Sequence, residues 1–581
     1  MRTEQKTIPG IVIGGTGSNT GKTTVTLALL CALASRGLAV RAAKTGPDSI
    51  DAAFHAAITG QPAANLDTWM CRQLPSNPRE KPLTSGNRLP QGLQTVFNRM
   101  SDISASTGGA RGVPPNMTPD MLLIEGAMGL YDGGHRGAGS TAQLAALLDL
   151  PVLLVCSAAG LGQSVAALVE GYLRHKPQWL RAQSPGPRFL GVVCTHVGSQ
   201  RHAEIITDAL KPLEKSDNIP LLALLPRAGA PELQSRHLGL VEAREAMPAL
   251  DKAALAQWLE NNCRLDHLLK LAGVAASPVK GKAGDGRADR GKDVAPVAKD
   301  ALSARFFPPR QQTATSIRNT ATQSVFQAPP AAQASTAHQD TSAAPASPSH
   351  PLQQGGLAPK NRQARGKARP LIGMAWDDAF SFCYADLPAM LAELGADLAP
   401  FSPLRDDAPP LGCTGLYFPG GYPELHAEEL AANTPMLQAL RALAHNNLPI
   451  YGECGGYIYL MRSLRLEGPS ELREYALAGL LPIGCTLGQS RAALGYRAAL
   501  ALPGAAKALW VRGHEFHYAH EDDGPLPPHC SPLWQMHDSK GAFLRDEGCR
   551  KGSVAGTWLH CYPEGSRTFW RAWLKTATPW T

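Results

Sequence analysis

At 581 residues the chain is too long for a single hydrophobic core, and roughly 100–200 residues per domain predicts two or three domains. With 44% hydrophobic and 18% charged residues, most of it is expected to fold as soluble globular protein. The balance of 56 Lys+Arg against 48 Asp+Glu, a net +8, is too mild to indicate a nucleic-acid surface and suits acidic small molecules equally well.

The 12 cysteines show no CxxC pairs and no regular framework, as expected in a reducing cytosol. The start "MRTEQKTIPG" is polar, and no run of about 20 apolar residues could span a bilayer. The expectation is a cytoplasmic protein with no membrane and no nucleic-acid partner.

In chain order, residues 8 to about 270 alternate short apolar runs ("IPGIVIGG", "LAVRAAK", "DMLLIEGA", "PVLLVCSA", "RFLGVVCTHV", "PLLALLP") with helical stretches such as "TTVTLALLCALASRG". Buried strands between amphipathic helices predict a mostly parallel sheet covered on both faces. Residues 72–119 read as a long loop with one helix. From 272 to 368 the composition turns to Ala, Pro, Ser, Gln and Thr, too apolar-poor to offset ordering entropy, so this stretch reads as a disordered linker. From 369 the pattern resumes as a second α/β domain, with strands in "RPLIGMAW", "GADLAPFSPL", "GLYFPGG" and "LPIYGECGG". Helices are predicted over "DLPAMLAELG" and "TPMLQALRALAHN". The resulting division is 1–271, 272–368 and 369–581, two catalytic modules on a tether.

"GGTGSNTGKTT", Gly14 to Thr24, follows a strand and opens a helix, the setting in which backbone N–H groups and the helix dipole hold phosphates, with Lys22 reaching the terminal phosphates. The spacing is a variant: Thr16 takes the first glycine position of GxxxxGK[ST] and Gly15 comes one residue early. A Mg²⁺ ion would need hard oxygens, and two carboxylate clusters sit at strand ends: Asp48 and Asp51 in "KTGPDSIDAAFH", Glu125 and Asp132 in "IEGAMGLYDGG".

In "PIYGECGGYIYL" a strand meets a tight turn at Cys454, and "YIYLMRSL" is expected to continue as a helix. That is a nucleophile elbow with cysteine as the nucleophile, which aims the sulfur outward and offers N–H groups to an oxyanion. A second turn in "YFPGGYPELH", at Gly420 and Gly421, would complete the oxyanion site together with Gly455. The bases on offer are His514 and His517 in "RGHEFHY" and His560 in "GTWLHCYPEG".

The blocks "KTGPDSID", "NLDTWM", "IEGAMGLYDGG", "GVVCTHVGSQRH" and "RHLGL" together resemble those of the cobyrinic acid a,c-diamide synthase family, ATP- and glutamine-dependent amidating enzymes of corrinoid biosynthesis. The resemblance implies a P-loop domain with the fold of dethiobiotin synthetase and a class I glutamine amidotransferase-like domain. It implies that Gly15, Thr16, Gly17, Ser18, Asn19, Thr20, Gly21, Lys22, Thr23 and Thr24 bind ATP. Thr23, Asp48 and Glu125 would surround Mg²⁺, and Asp51 and Asp132 would lie near the corrinoid carboxylate being activated. Cys454 and His560 would form the glutaminase pair, with His514 structural or at a domain interface.

Two positions depart from the pattern: Ser49 replaces an aromatic residue and Thr195 replaces an Asn. Tyr562 stands where class I amidotransferases commonly place an acid, so the third triad member is absent or supplied elsewhere, as in the corrinoid-amidating branch generally, and Glu564 is poorly spaced to replace it. Cobyric acid synthase and nickel-sirohydrochlorin a,c-diamide synthase are the neighbouring readings, and a ParA/MinD-like switch ATPase is the reading from another class. The partners implied are ATP, L-glutamine and a corrinoid polycarboxylic acid, with homodimerisation left open.

Overall fold

The apolar run Gly10–Gly15 forms β1, and all six of its residues are buried, as a strand covered on both faces requires. The computed structural model describes residues 8–72, 89–101, 118–134, 137–181, 186–230, 235–236, 239–240, 247–274, 369–467, 471–488, 490–502, 509–522 and 524–577. β1 is central in a parallel seven-stranded sheet ordered β3-β2-β4-β1-β5-β6-β7. The other strands are β2 (Val40–Thr45), β3 (Ala64–Leu66), β4 (Met121–Glu125), β5 (Val152–Ser157), β6 (Phe189–Val197) and β7 (Leu221–Pro226).

Among the described residues this part has nine α-helices: α1 (Lys22–Ser35), α2 (Ser49–Thr59), α3 (Gln91–Ser101), α4 (Thr141–Leu148), α5 (Ser164–Arg174), α6 (Gln178–Arg181), α7 (Gln200–Asp217), α8 (Lys252–Asn262) and α9 (Leu265–Leu271). Alternate residues of each strand point to opposite faces, so Val12, Ile124 and Leu154 enter one core while Ile11, Ile13, Leu123 and Leu153 enter the other. The phosphate loop leaves the carboxyl end of β1, flanked by the strand ends of β2 and β4. That is the edge where an open parallel sheet binds ligands. In "RHLGL", β8 (Ser235–Arg236) pairs antiparallel with β9 (Gly239–Leu240).

The sheet of the second module is ordered β11-β10-β12-β13-β23-β22, from β10 (Leu371–Ala375), β11 (Asp397–Phe401), β12 (Gly415–Phe418), β13 (Ile450–Glu453), β22 (Cys549–Lys551) and β23 (Val554–Thr557). All pairings but β22–β23 are parallel. Two further sheets were not foreseen. One holds β14 (Met461–Glu467), β15 (Leu472–Ala476), β16 (Leu481–Leu487) and β19 (Ala519–Glu521). The other is antiparallel, with β17 (Ala493–Ala501), β18 (Trp510–His517), β20 (Trp534–His537), β21 (Phe543–Glu547) and β24 (Leu559–Cys561).

One expectation is corrected: "YIYLMRSL" is not a single helix. The helix after Cys454 covers only Gly455–Leu460, and Met461 onward is β14, whose backbone pairs with β15 and β16 instead of continuing the helical ladder. Within 72–119 the expected helix is α3; most of the rest of that loop, and the expected linker beyond Val274, lie outside the described residues.

The two modules share a core and a polar seam. Trp510, Ala498 and Tyr562 pack into the same cluster as β1 and β4 residues. Tyr496 donates its hydroxyl to Asp67 Oδ2 at 2.5 Å, Arg512 Nη1 donates to the Trp69 carbonyl at 2.6 Å, and Tyr562 donates to the Asn65 carbonyl at 2.6 Å. Arg99 of α3 pairs with Glu393 at 2.8 Å and Glu564 at 2.6 Å. The "NLDTWM" block is therefore the strip the second module grips. Asp67 is fully enclosed, so deleting the phenol leaves its charge one donor short. Tyr496→Phe is expected to cost about 1.5–3 kcal/mol, read as a lowered thermal midpoint; an unchanged midpoint would show that this contact does not hold the modules together.

Candidate functional site

The phosphate loop folds back tightly on itself. A Cβ at Gly15 would lie 2.6 Å from Thr20 Oγ1 and 2.8 Å from Lys22 Cδ, which explains why the glycine falls one residue earlier than in the usual spacing. Thr16, at the usual glycine position, instead uses its carbonyl to accept the Tyr172 hydroxyl at 2.6 Å. Lys22 Nζ donates to the Gly17 carbonyl at 2.8 Å, and its pKa is lowered to about 8 by burial and by the neighbouring Lys44. A bound polyphosphate would restore its charge.

Glu125 at the end of β4 is wholly buried and fully engaged. Oε1 accepts Thr23 Oγ1 at 2.6 Å and Lys44 Nζ at 2.7 Å, and Oε2 meets His55 Nε2 at 2.8 Å. Lys44 also reaches Asp51 Oδ2 at 2.5 Å. Against burial, Lys44 and His55 hold the Glu125 carboxyl well below its usual range, whereas burial and the Glu125 charge push Asp51 up to about 7. Asp48 is exposed and caps α2, its Oδ1 accepting Ile50 N at 3.0 Å. Asp132 is exposed, accepts Gly129 N at 2.9 Å, and lies near enough to act electrostatically on Lys22.

Sequence reasoning missed two members of this cluster. Lys44 was visible beside Asp48 in "KTGPD", and His55 lies one helical turn beyond Asp51 on the same face of α2. Thr195, where an Asn was expected, donates to the Thr20 carbonyl at 2.8 Å and so braces the loop itself.

Among the described residues, no group of three or more His, Cys, Asp or Glu forms a metal cage. Mg²⁺ bound with phosphates needs only one or two protein ligands. The touching oxygens of Thr23 and Glu125 are the hard donors that fit it, with Glu125 shared with Lys44.

In the second module Cys454 joins β13 to the helix Gly455–Leu460 with φ 47° and ψ −105°, a conformation a non-glycine residue holds only under constraint. Its N–H donates to the Thr557 carbonyl at 2.8 Å, and the helix starts from its carbonyl, which accepts Ile458 N at 3.0 Å. The sulfur lies 3.8 Å from the Phe516 carbonyl, and burial pushes the thiol pKa well up, with Glu424 adding to it.

The Gly420–Gly421 turn connects this elbow to the imidazole. A Cβ at Gly421 would overlap the Ala379 carbonyl, and one at Gly455 would lie 2.8 Å from Gly421 N. A Cβ at Gly420 would lie 3.0 Å from His560 Nδ1. His560 pairs in register with His514, their rings stacked at 5.4 Å, and packs against Phe382. Burial keeps both imidazoles neutral, His514 at about 4 and His560 well below its ordinary value. Glu564 is paired with Arg99 and Arg567, away from any role toward His560.

The carboxyl-terminal module matches the CobB/CobQ-like glutamine amidotransferase domain over residues 371–568, and the amino-terminal one matches the CobQ/CobB/MinD/ParA nucleotide-binding domain over 11–241. Over its length the chain is similar to a hydrogenobyrinate a,c-diamide synthase of Sinorhizobium sp, 32% identical across 95% of this chain and 98% of that one. A Rhodobacter capsulatus protein of the same name is 32% identical over 95% and 98%. A cobyrinate a,c-diamide synthase of Syntrophotalea carbinolica is 30% identical over 97% and 98%. The chain belongs to the hydrogenobyrinate/cobyrinate a,c-diamide synthase family. Its two modules are a P-loop nucleotide-binding domain and a glutamine amidotransferase domain, each on a largely parallel sheet.

Burial holds Cys454 as a neutral thiol and His514 and His560 as neutral imidazoles. His514, buried with Nδ1 unpartnered, has a folded pKa of about 4 against an ordinary 6.5. The unfolded chain takes up that proton first, so the associated stability is complete above pH 6.5 and is lost as the pH falls toward 4. Replacing His514 by Gln should flatten the acid limb of a plot of thermal midpoint against pH by the equivalent of about 1 kcal/mol per pH unit. An unaltered acid limb would mean that His514 is protonated in the fold.

Proposed function

We propose that this chain is an ATP- and glutamine-dependent amidoligase that converts the a and c acetate carboxylates of cobyrinic or hydrogenobyrinic acid to amides in cobalamin biosynthesis. The observation that carries the reading is end-to-end similarity to a,c-diamide synthases combined with both halves of the chemistry in one chain: a phosphate loop backed by Glu125, and a cysteine elbow against a glycine turn whose other side meets His560. A switch ATPase of the ParA/MinD type would have no use for that elbow. The same reading divides the chain into a synthetase module at 1–271, a linker at 272–368 and an amidotransferase module at 369–581.

An amine cannot displace oxide from a carboxylate, but it can displace phosphate, so the carboxylate is first phosphorylated by ATP. The loop from Gly15 to Thr24 holds the polyphosphate through backbone N–H groups, and Lys22 stabilises charge on the transferred group. Thr23 and Glu125, with Asp48, would hold Mg²⁺, which would supply further charge neutralisation. Lys44 holds Glu125 and Asp51 in place, and Asp51 and Asp132 face the carboxylate to be activated.

In the second module His560 takes the Cys454 thiol proton as the sulfur attacks the glutamine amide carbon. N–H groups at Gly420, Gly421 and Gly455 bind the developing oxyanion, worth a few kcal/mol per donor. His560 returns the proton to the departing nitrogen, ammonia leaves, and water releases glutamate from the thioester. Ammonia then attacks the acyl phosphate carbon and expels phosphate.

Mass analysis after incubation with ATP, glutamine and either acid is expected to show two amidations; four would point to cobyric acid synthase chemistry instead. Cys454→Ser should abolish synthesis from glutamine while sparing synthesis from added ammonium. Lys22→Ala should abolish both. Loss of ammonia-driven synthesis in Cys454→Ser would overturn the division of labour between the modules.

A further inference from the structure

Among the described residues, eight that are not glycine hold a positive φ. Six of them, Asn19, Asp149, His196, Asn218, Asn447 and His529, are of the types that tolerate that region. The other two are Cys454, at the nucleophile elbow, and Met128, with φ 50° in the turn after β4. A long apolar side chain gains nothing from this backbone, so Met128 is held there by its surroundings. Ala127 N donates to Thr45 Oγ1 at 2.6 Å, and the Ala127 carbonyl accepts Thr141 Oγ1 at 3.3 Å. On the other side Gly129 N donates to Asp132 Oδ2 at 2.9 Å, and Leu130 N donates to the Gly15 carbonyl at 2.7 Å.

The clamped turn delivers an apolar group to water. Met128 is 52% exposed, whereas its neighbours along β4 and the turn are buried or half-buried. A lone exposed apolar side chain is ordinary on a protein surface; one held outward by a strained, anchored turn is not. Its place matters as well. A Cβ at Gly129 would lie 3.4 Å from Gly17 Cα, and the Gly17 carbonyl accepts Lys22 Nζ at 2.8 Å. A Cβ at Gly17 itself would meet no described atom within 4 Å, so the space beside that glycine is open. Met128 therefore stands at the rim of the phosphate loop, on a turn braced by Thr45 of the strand that leads to Asp48 and Asp51.

We infer that Met128 is a binding contact for the acid to be amidated: its thioether side chain packs against the apolar face of the macrocycle while one acetate arm reaches in toward the phosphate held by Lys22. The inference rests on the function proposed above. A carboxylate on a short arm meets the terminal phosphate only with the large ring left at the rim, where an apolar side chain gives that face somewhere to bury. An unbranched, polarisable thioether adapts to the uneven face of a conjugated ring. The strained backbone keeps the contact in place before the acid arrives, as strain at binding sites does.

The test compares full-length wild type, Met128→Gly, Met128→Gln and Met128→Leu. The readouts are ammonium-driven amidation of hydrogenobyrinic or cobyrinic acid, titration of the acid by its visible absorption without ATP, and thermal unfolding. Met128→Gly removes the strain together with the contact, so its thermal midpoint should hold or rise by about 1–2 °C while KM and Kd for the acid rise about fivefold or more. KM for ATP should stay within about twofold, which separates lost contact with the acid from a disturbed phosphate loop. Met128→Gln keeps the length and loses the apolar surface, and should weaken the acid as much; Met128→Leu should restore most of the affinity. Unchanged affinity for the acid in Met128→Gly and Met128→Gln would overturn the inference. So would KM for ATP rising in step with that for the acid, or a midpoint lowered by Met128→Gly, since either result makes the residue a brace for the fold. Absence of amidation of both acids by wild type would instead overturn the function on which the inference rests.

Discussion

The hydrogen bond from Tyr496 to the enclosed carboxylate of Asp67 is the contact on which the arrangement of two sites depends. A buried charge must be met by donors, and Asp67 is met by two backbone N–H groups of its own turn and by one phenol from the other module. The "NLDTWM" strip is thus complete only when the second module is docked. The adjoining contacts repeat this logic with carbonyls: Trp69 accepts from Arg512, whose guanidinium also lies over the Trp69 ring at 4.3 Å, and Asn65 accepts from Tyr562. Because Asn65 holds the Gly46 and Asp48 carbonyls through its amide, the seam runs without a break from the strand of His560 to the cap of α2.

The two sites use burial in opposite ways. Around Glu125 the interior is charged and compensated: one carboxylate receives an ammonium, an imidazole and a hydroxyl, the arrangement in which buried ions are tolerated. Such a cluster is fixed before nucleotide arrives, and it places rigid oxygens beside the loop. Around Cys454 the interior is kept neutral. The thiol is pushed up and the imidazoles are pushed down by the same loss of solvent, so the ion pair that would make the sulfur nucleophilic is disfavoured in this resting arrangement.

The parallel sheets, the phosphate loop and the cysteine elbow were legible in the sequence because each has a local signature: buried runs of Val, Ile and Leu, a glycine loop before a helix, and glycines flanking one cysteine. The positions of the individual acids were less legible. Asp48, Asp51, Glu125 and Asp132 all lie at strand ends, but only three-dimensional contact separates the buried Glu125–Lys44–Asp51 chain from Asp48, a helix cap, and Asp132, a loop acceptor. The strands from Met461 to Glu547 lacked a signature because many are half-exposed and short, and β14 begins inside a helical-looking run. Its strand character comes from pairing with β16, which is close in space and about twenty residues away in sequence.

Tyr562 shows how the seam and the chemistry constrain each other. Two residues after His560, an acid would orient the imidazole and favour its charged form. In this chain that side chain points into the seam, where it donates to the Asn65 carbonyl and is surrounded by the influence of Asp67 and Asp386. A carboxylate there would have only the weakly donating Cys71 thiol beside it, would confront a carbonyl oxygen, and would repel Asp67. A phenol satisfies the carbonyl and stays neutral. Docking the modules therefore fixes the residue type at 562 and leaves His560 without an acid partner, so its orientation must come from packing against Phe382, His514 and the Gly420 backbone.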